Sequence, residues 1–489
     1  MLFNSMPFLV FFAIVVLLYY ALPHKYRWIL LLVASCFFYS AFVPAYLLIL
    51  FLIILIDYTA GRIISVKNGR GKKTWLAISI ISTCSVLFFF KYFNFVSVNT
   101  QKIAAFFHWN YDPTLLKWVL PIGLSFHTFQ SLSYVLEVYY GRQPAEKHLG
   151  IYATYVMFFP QLVAGPIERP QNLLPQFRQK HPVLYTNFSA GFRLALYGFF
   201  KKMVIADNLA PYVDQVYNNP TTYGSGAVIL ATCFFAVQIY CDFSGYSDIA
   251  LGTARILGFR LMTNFRHPYF ATSIPEFWRR WHISLSTWFR DYVYIPLGGN
   301  KVAKWRWYYN LFVVFLLSGI WHGDGWTFII WGLLHWAYYL VYYSTKTARL
   351  KLAKLSGLYN LPAVNSFLSG LVTFFVVAFA WVAFRASDTS AMKELYSRIV
   401  DMQGSFSTDM RLLAEKVGAS VPSVADLRFV ALSLLAFLFA ETALAQKKVA
   451  EDFSSFPVAA RWGAYYVLLI WIYLFGVYDN APHFIYFQF

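Results

Sequence analysis

Charged residues are scarce in this sequence. They make up 13% of its 489 residues, whereas a soluble chain carries about a quarter. Hydrophobic residues account for 59%, and the mean hydropathy is +0.52. Apolar runs recur from one end of the chain to the other, which excludes a soluble domain held by a single anchor. The composition therefore predicts an all-α polytopic membrane protein.

Acidic residues are scarcer than basic ones. The chain has 22 Asp and Glu against 40 Lys and Arg, which gives a formal net charge of +18. The basic residues cluster in short loops between apolar runs, as in residues 62–73. This pattern is typical of cytoplasmic loops that face an anionic lipid leaflet. The sequence therefore predicts contact with membrane lipid and no nucleic-acid partner.

Cysteine is also rare, and its positions show no metal-ligand spacing. The four cysteines all lie in apolar segments, so they predict neither a disulfide framework nor a metal site. They are Cys36, Cys84, Cys233 and Cys241. The sequence also shows no internal repeat. A transporter or flippase of lipid-linked sugars would be expected to have two related halves with broken helices in corresponding positions. The sequence therefore does not show the pattern expected of a transporter or flippase, which remains the alternative class.

The apolar runs predict many membrane spans, and several are shorter than the ~20 residues that cross a bilayer. Short spans of this kind are expected to be re-entrant helices or helices buried in protein. The first run lacks a basic leading segment and a cleavage site, so it is interpreted as a retained span. The predicted spans are 6–22, 28–41, 44–61, 74–93, 118–138, 150–166, 186–206, 226–243, 307–321, 324–344, 364–384, 428–445 and 462–478.

Loop charge predicts the orientation of these spans. Basic loops in the cytoplasm place both termini and the polar segment 386–427 on the extracytoplasmic side. Part of that segment can form a helix with an apolar stripe at Met392, Leu395 and Ile399, and we expect it to dock a partner. The chain is interpreted as one integral-membrane domain (1–489), with N-terminal helices at 1–117, a motif-bearing core at 118–345 and C-terminal helices at 346–489.

A histidine lies within one of the most apolar parts of the chain, in the motif Trp321-His-Gly323. The preceding segment, residues 308–321, has 14 residues and spans about 21 Å as a helix, short of the ~30 Å hydrocarbon core. His322 is therefore predicted at membrane depth, where the chain turns. It is a candidate general base. The alternative is a histidine that only joins two helices by a hydrogen bond.

A second polar cluster occupies residues 275–300. Thr272 or Ser273 is predicted to cap a helix that continues until Pro296. One interpretation is an amphipathic interfacial helix whose arginines contact lipid headgroups, and helix geometry alone favours it. In the other, His282 turns inward as the partner of His322, and Arg279 and Arg280 bind an anionic donor such as the phosphates of coenzyme A.

A third cluster, from Gln238 to Asp248, is predicted at the end of an apolar helix. Its polar residues are Asp242, Ser244, Ser247 and Asp248. Two acids this close are candidates for catalysis, but more often such acids cap the next helix or pair with arginines. No Gly-x-Ser-x-Gly elbow is present, so no serine nucleophile is predicted.

Together these motifs resemble the membrane-bound O-acyltransferase superfamily, and most closely its bacterial alginate O-acetyltransferase branch. The matching stretches are LPIGLSFHTFQSLSY (120–134), FPQLVAGPI (159–167), DFSGYSD (242–248), EFWRRWHISLS (276–286) and WHG (321–323). The resemblance implies a helical bundle with re-entrant and interfacial helices around a central tunnel, through which an acyl donor reaches a catalytic histidine.

By the same resemblance, His322 matches the catalytic histidine and His282 matches the second polar residue. Donor-binding or tunnel-lining candidates are Gln238, Asp242, Ser244, Trp278, Arg279, Arg280 and Trp321. The resemblance also implies acetyl-CoA or another acyl thioester as donor substrate, with no permanently bound cofactor and no metal. It further implies the bacterial inner membrane and a periplasmic acetyltransferase of the SGNH type as partner.

The predicted function is transfer of an acyl group, most simply acetyl, from a cytoplasmic thioester across the membrane to an exported or cell-envelope polysaccharide. His322 Nε2 would take the proton of the acceptor hydroxyl, with His282 or a tryptophan N–H orienting the ring. A covalent acyl-histidine is the alternative mechanism. D-alanyl transfer from a carrier protein to teichoic acid is the alternative reaction.

Overall fold

The computed structural model describes the whole chain except residues 114, 119, 402, 403, 405, 421–426, 445–456, 479–483 and 486–489. All regular structure in the described residues is helical, which confirms the predicted all-α class. The chain divides into two compact units. The first comprises Met1–Ala195 and Ile249–Met262, and the second comprises Leu196–Asp248 and Thr263–Phe489. The prediction of one integral-membrane domain stays a prediction.

Long apolar helices dominate the first unit. In chain order its helices are α1 (Met6–Ala21), α2 (His24–Ser40), α3 (Tyr46–Val66), α4 (Gly69–Lys91), α5 (Phe93–Phe106), α6 (Leu124–Tyr139), α7 (Leu149–Met157), α8 (Pro170–Leu173) and most of α9 (Tyr185–Phe199). The start of α6 is fixed at Gly123, whose φ of +76° favours glycine. A Cβ atom there would also lie 2.7 Å from the Leu162 carbonyl oxygen.

A buried carboxylate joins four helices of the first unit. Asp57 on α3 is fully buried and accepts hydrogen bonds from Ser79 and Ser131, each at 2.6 Å, and from Thr83 at 3.1 Å. Ser131 also contacts the Tyr152 hydroxyl on α7 at 2.9 Å. A polar group in an apolar environment needs such internal partners, so this cluster fixes the packing of α3, α4, α6 and α7.

The second unit contains the remaining helices. Its α-helices are α10 (Asp207–Tyr217), most of α11 (Ser225–Ile256), α12 (Ile274–Arg280), α13 (Ile283–Phe289), α14 (Lys304–His322), α15 (Trp326–Ser344), α16 (Lys346–Leu355), α17 (Pro362–Arg385), α18 (Thr389–Asp401), α19 (Phe406–Ser420), α20 (Leu427–Leu444) and α21 (Val458–Phe475). Two π-helical segments, Phe200–Ala206 and Arg290–Tyr294, follow α9 and α13.

Five of the described helices are long and apolar enough to cross a membrane. They are α3, α4, α11, α17 and α21, with 18 to 32 residues each. This finding agrees with the predicted multi-pass protein. The prediction that the apolar helix at 226–243 ends near the third polar cluster is wrong, because α11 continues through that cluster to Ile256.

Glycines allow α14 and α15 to approach closely. A Cβ atom at Gly319 would lie 2.6 Å from the Phe328 carbonyl oxygen, and one at Gly332 would lie 2.4 Å from that of Phe315. Small residues at a helix–helix interface are typical of membrane proteins, where close backbone approach supplies the packing energy. The break between these two helices, at Gly323–Gly325, follows the prediction from the sequence.

Part of the predicted extracytoplasmic segment 386–427 is helical, as α18 and α19. Residues 402, 403, 405 and 421–426 of that segment lie outside the described residues. The predicted stripe on α18 exists, but it faces inward, because Met392 and Leu395 are buried and Ile399 packs against the core of the second unit. The stripe therefore holds α18 in place and does not itself present a docking surface.

Candidate active site

The segment that carries His282 is not the continuous helix predicted from the sequence. Ser273 caps α12 by accepting a hydrogen bond from the Glu276 N–H at 3.4 Å, as expected. The helix then stops at Arg280, and His282 adopts a left-handed conformation with φ of +40° before α13 begins. A non-glycine residue with positive φ requires support from its surroundings.

That support comes from Asn264. The Ile283 N–H donates to the Asn264 backbone oxygen at 2.9 Å, and the Ser284 hydroxyl donates to its side-chain oxygen at 2.7 Å. These bonds satisfy the first groups of α13 and hold the break open. They depend on a residue that lies outside the cluster 275–300, so helix periodicity within the cluster could not reveal them.

The break turns His282 into the protein interior. Its ring is fully buried, with centroids 4.7 Å from Phe243 and 6.1 Å from Trp321. Burial, together with the nearby His322, holds the pKa of His282 well below its ordinary value. His282 is therefore a neutral buried ring, which agrees with the interpretation that it turns inward rather than lying on an interfacial face.

His322 is the last residue of α14. Its Nδ1 lies 2.6 Å from the Ser318 carbonyl oxygen, one turn earlier in the same helix. A carbonyl oxygen can only accept, so Nδ1 carries the hydrogen and Nε2 of the neutral ring is the proton-accepting nitrogen. The helix end thus fixes the tautomer that a general base requires.

Aromatic side chains enclose His322. The ring centroids of Trp321, Trp331 and Phe384 lie 4.9, 4.7 and 5.5 Å from its own. Trp321 contacts both His282 and His322, so the structure brings together the two histidines that the sequence predicted as partners. Trp321, which the sequence predicted as a lining residue, therefore packs against the imidazole rings of both His282 and His322.

A third histidine belongs to the same cluster. His335 on α15 is fully buried, and its Nδ1 accepts a hydrogen bond from the Trp278 Nε1–H at 3.3 Å. Its ring centroid lies 5.0 Å from Trp331. Trp331 also contacts His322, with a centroid distance of 4.7 Å, so one indole joins the two histidines. The sequence analysis missed His335, although the criterion that found His322, an imidazole inside an apolar run, applies to it equally.

The two candidate arginines on α12 differ in their surroundings. Arg280 is bound to Glu276 at 2.6 Å, whereas Arg279 is exposed. Burial raises the pKa of Glu276, but hydrogen bonds from Thr272 and the charge of Arg280 outweigh it, so the pKa lies below its ordinary value. Arg279 is therefore the arginine of the pair that is better placed to meet an anionic ligand.

The third polar cluster lies within α11, and lysines neutralise it. Lys202 on the π-helical segment pairs with both Asp207 and Asp242 at 2.7 Å. Lys201 pairs with Asp248 at 2.5 Å and donates to Ser244 at 2.9 Å. The acids therefore neither cap a following helix nor pair with arginines.

Asp242 also anchors a distant backbone, since its Oδ2 accepts a hydrogen bond from the Ile485 N–H at 2.7 Å. Gln238, another predicted lining residue, lies one turn earlier on the same helix and is buried. The structure thus places Asp242 and Ser244 in a buried ionic network, while Trp278 and Trp321 contact the histidine cluster.

Three further charged groups in apolar segments escaped the sequence analysis. Besides the two lysines, Glu441 on α20 is buried and accepts hydrogen bonds from the Tyr197 and Tyr240 hydroxyls at 2.8 and 2.9 Å. Ionisable residues inside apolar helices are the signal that could have identified them. In the described part of the chain, no group of three or more His, Cys, Asp or Glu side chains is arranged to hold a metal ion.

The arrangement can therefore support proton transfer. An imidazole whose Nδ1 donates to a backbone oxygen lies at a helix break inside an aromatic enclosure, and two further buried histidines, His282 and His335, belong to the same cluster. In such an environment electrostatic interactions are strong, and a base can accept a proton from a hydroxyl that attacks a carbonyl.

Comparison with known proteins gives the same reaction class. The model of the membrane-bound O-acyltransferase family matches residues 148–349. A probable alginate O-acetylase AlgI of Pseudomonas aeruginosa is 40% identical over 403 residues, which cover 81% of this chain and 74% of that protein. A peptidoglycan O-acetyltransferase of Helicobacter pylori is 35% identical over 401 residues, which cover 76% of this chain and 74% of that protein.

A teichoic acid D-alanyltransferase of Bacillus subtilis is more distant. It is 29% identical over 230 residues, which cover 44% of this chain and 56% of that protein. The resemblance to the alginate O-acetyltransferase branch is thereby confirmed, and the relatives are enzymes rather than transporters. The chain belongs to the membrane-bound O-acyltransferase family and is a multi-pass membrane O-acyltransferase.

Proposed function

We propose that this enzyme transfers acetyl from a cytoplasmic thioester, acetyl-CoA, for O-acetylation of an exported or cell-envelope polysaccharide. The names of the relatives that align with most of the chain support acetyl as the acyl group and a glycan as the final acceptor. The observation that carries the proposal is the His322 tautomer, which leaves Nε2 as a base inside a buried aromatic site beside His282.

The proposed step begins when an acceptor hydroxyl attacks the thioester carbonyl carbon. The hydroxyl proton moves to His322 Nε2 as the new C–O bond forms, and the π electron pair moves onto the carbonyl oxygen. When that pair returns, the C–S bond breaks and the thiolate leaves. The thiolate takes the proton from the His322 imidazolium, so the products are an acetyl ester and free coenzyme A.

Arg279 is proposed to bind the phosphates of the donor. It is exposed on α12, the helix that also positions Trp278 against His335. A guanidinium matches phosphate geometry with two parallel hydrogen bonds. Arg280, which is already bound to Glu276, would contribute less to this binding.

D-alanyl transfer to teichoic acid is the second candidate reaction, because a teichoic acid D-alanyltransferase is among the relatives. That similarity covers less than half of the chain, whereas the O-acetyltransferase relatives cover at least three quarters. Acetyl transfer is therefore favoured.

Mass spectrometry of envelope glycans tests the proposed function. Cells that express the wild-type protein are expected to carry O-acetyl groups, a mass increment of about 42 Da per site, that disappear in cells expressing His322→Ala at the same membrane level. An exposed histidine, His108, offers a matched control, His108→Asn, which is expected to keep wild-type acetylation. Glycans with the same acetylation in the wild type and in His322→Ala would contradict the proposal, and D-alanyl increments would favour the second candidate.

We also propose that the protein lies in the bacterial inner membrane with both termini and α18–α19 on the extracytoplasmic side. The basic loops support this orientation, because α16 carries Lys346, Arg349, Lys351 and Lys354 without an acidic residue. Reporter fusions that place either terminus in the cytoplasm would contradict it.

The proposed partner is a periplasmic acetyltransferase of the SGNH type that receives the acyl group. The inward stripe of α18 leaves Lys393, Ser397 and Val400 exposed on the opposite face, at helical spacing. We propose this outer face of α18 as the docking element. The buried stripe supports it by keeping the helix rigid.

The double variant Lys393→Glu/Val400→Asp tests the docking face. It is expected to keep wild-type turnover of acetyl-CoA while it lowers glycan acetylation, because an apolar contact and a charge are lost only at the outer face. Lys351→Glu, an exposed change on α16, serves as control and is expected to leave both measurements unchanged. Unchanged glycan acetylation in the double variant would count against docking at α18.

A further inference from the structure

One ring nitrogen of His335, Nδ1, accepts a hydrogen bond from Trp278. Because the Trp278 Nε1–H donates to His335 Nδ1 at 3.3 Å, Nδ1 is the accepting nitrogen. The hydrogen of the neutral ring is therefore on Nε2. Within the described ranges, His335 Nε2 contacts no hydrogen-bond acceptor, and the residue is fully buried. His335 thus presents a buried N–H donor whose acceptor is not supplied by the described residues.

Trp331 presents a second donor of the same kind. Its ring is fully buried, and its Nε1–H also has no acceptor among the residues that the structure describes. Two other tryptophans of this unit do have acceptors: Trp336 donates to the Tyr308 backbone oxygen at 3.1 Å, and Trp381 donates to the Tyr269 hydroxyl at 3.2 Å. His335 and Trp331 thus place two buried donors without a described acceptor in the histidine cluster.

The two donors adjoin each other in the cluster that contains the base. The Trp331 ring centroid is 4.7 Å from that of His322 and 5.0 Å from that of His335, so Trp331 contacts both histidines. Leaving a buried donor unpaired costs about 1–3 kcal/mol each. Donors kept unpaired next to a proton acceptor are the arrangement that stabilises negative charge on an oxygen during acyl transfer.

We propose that His335 Nε2–H and Trp331 Nε1–H donate hydrogen bonds to the acyl carbonyl oxygen of the donor, and that Trp278 holds His335 in the required tautomer. This inference rests on the proposed function. As the acceptor oxygen bonds to the carbonyl carbon, the π electron pair moves onto the carbonyl oxygen, where the two N–H groups stabilise it. Neither group gives up its proton, since His322 alone accepts the hydroxyl proton and returns it to the leaving thiolate.

The test measures kcat and KM for acetyl-CoA with purified variants. His335→Phe fills the aromatic enclosure but removes the N–H, and we expect kcat to fall about 10²–10³-fold with little change in KM, because the bond strengthens in the transition state. His335→Gln retains an N–H donor and is expected to recover part of this loss. Trp278→Phe leaves the His335 tautomer unfixed, so a smaller fall in kcat is expected.

Thermal unfolding separates this role from a structural one. A structural histidine would lose stability on replacement by Phe, and glutamine would not restore kcat. The proposal instead predicts that His335→Phe melts close to the wild-type temperature. The variant removes the unpaired His335 Nε2–H, which favours the folded state, but it leaves the Trp278 Nε1–H without its acceptor, which offsets this gain. Wild-type kcat in His335→Phe, or a loss of kcat that follows a fall in melting temperature, would overturn the inference.

Failure of the proposed function gives a different result. If the wild type turns over no acetyl-CoA, or if His322→Ala is fully active, the proposed function fails whatever the His335 variants do. If the wild type is active, His322→Ala is inactive and His335→Phe matches the wild type, only the inference about the two donors fails.

Discussion

Replacing His322 with glutamine is expected to lower acyl transfer by about 10²–10⁴-fold. The structure gives the reason, because Ser318 holds the ring with Nε2 as the accepting nitrogen. A glutamine amide cannot accept a proton at neutral pH. The loss would be larger if the residue also carries the acyl group as a covalent intermediate.

His282→Asn is expected to retain a measurable fraction of activity. His282 has a φ of +40°, and asparagine is among the residues that tolerate this conformation. An amide can also supply an orienting hydrogen bond without a change of charge. Turnover assays at matched membrane levels compare the two variants. Equal losses would mean that the pair acts as one unit, and a milder loss at His322 would overturn its assignment as the base.

Lys202→Met is expected to lower the free energy of unfolding by about 3–5 kcal/mol. Lys202 is buried and pairs with Asp207 and Asp242, so its removal leaves two carboxylates without their cation in the interior. The loss also affects Ile485, whose N–H donates to Asp242. Chemical or thermal unfolding of the purified protein measures the effect.

Neutralising the carboxylates at the same time should reverse most of this loss. The triple variant Lys202→Met/Asp207→Asn/Asp242→Asn removes the uncompensated charge, so it is expected to be more stable than the single variant. Lys351→Met, on the exposed helix α16, is the matched control and should change stability by less than about 0.5 kcal/mol. A Lys202→Met protein as stable as this control would show that the network is not needed for stability.

The part of the site that the sequence predicted depends on local signals. His322 was identifiable because a polar ring stands out in an apolar run, and Gly323 marks the end of its helix. Ser273 was identifiable as a helix cap by its position before Pro275 and Glu276. These features depend on residues close together in the chain, so a sequence pattern contains them.

The part that the sequence could not predict depends on distant residues. The break at His282 is held by Asn264, which precedes the cluster, and helix periodicity therefore favoured a continuous helix. Asp242 lies in the middle of α11 because Lys202, on another segment, neutralises it. His335 joins the site only because α14 and α15 pack closely through Gly319 and Gly332.

We propose that this protein is an O-acetyltransferase in which His322 is the general base. Incubation of the purified protein with radiolabelled acetyl-CoA tests it most directly. The expected result is label transfer or hydrolysis, with release of free coenzyme A, by the wild type and a fall of at least about 100-fold in His322→Ala. Absence of turnover in a folded wild type, or equal turnover in the two proteins, would contradict the claim.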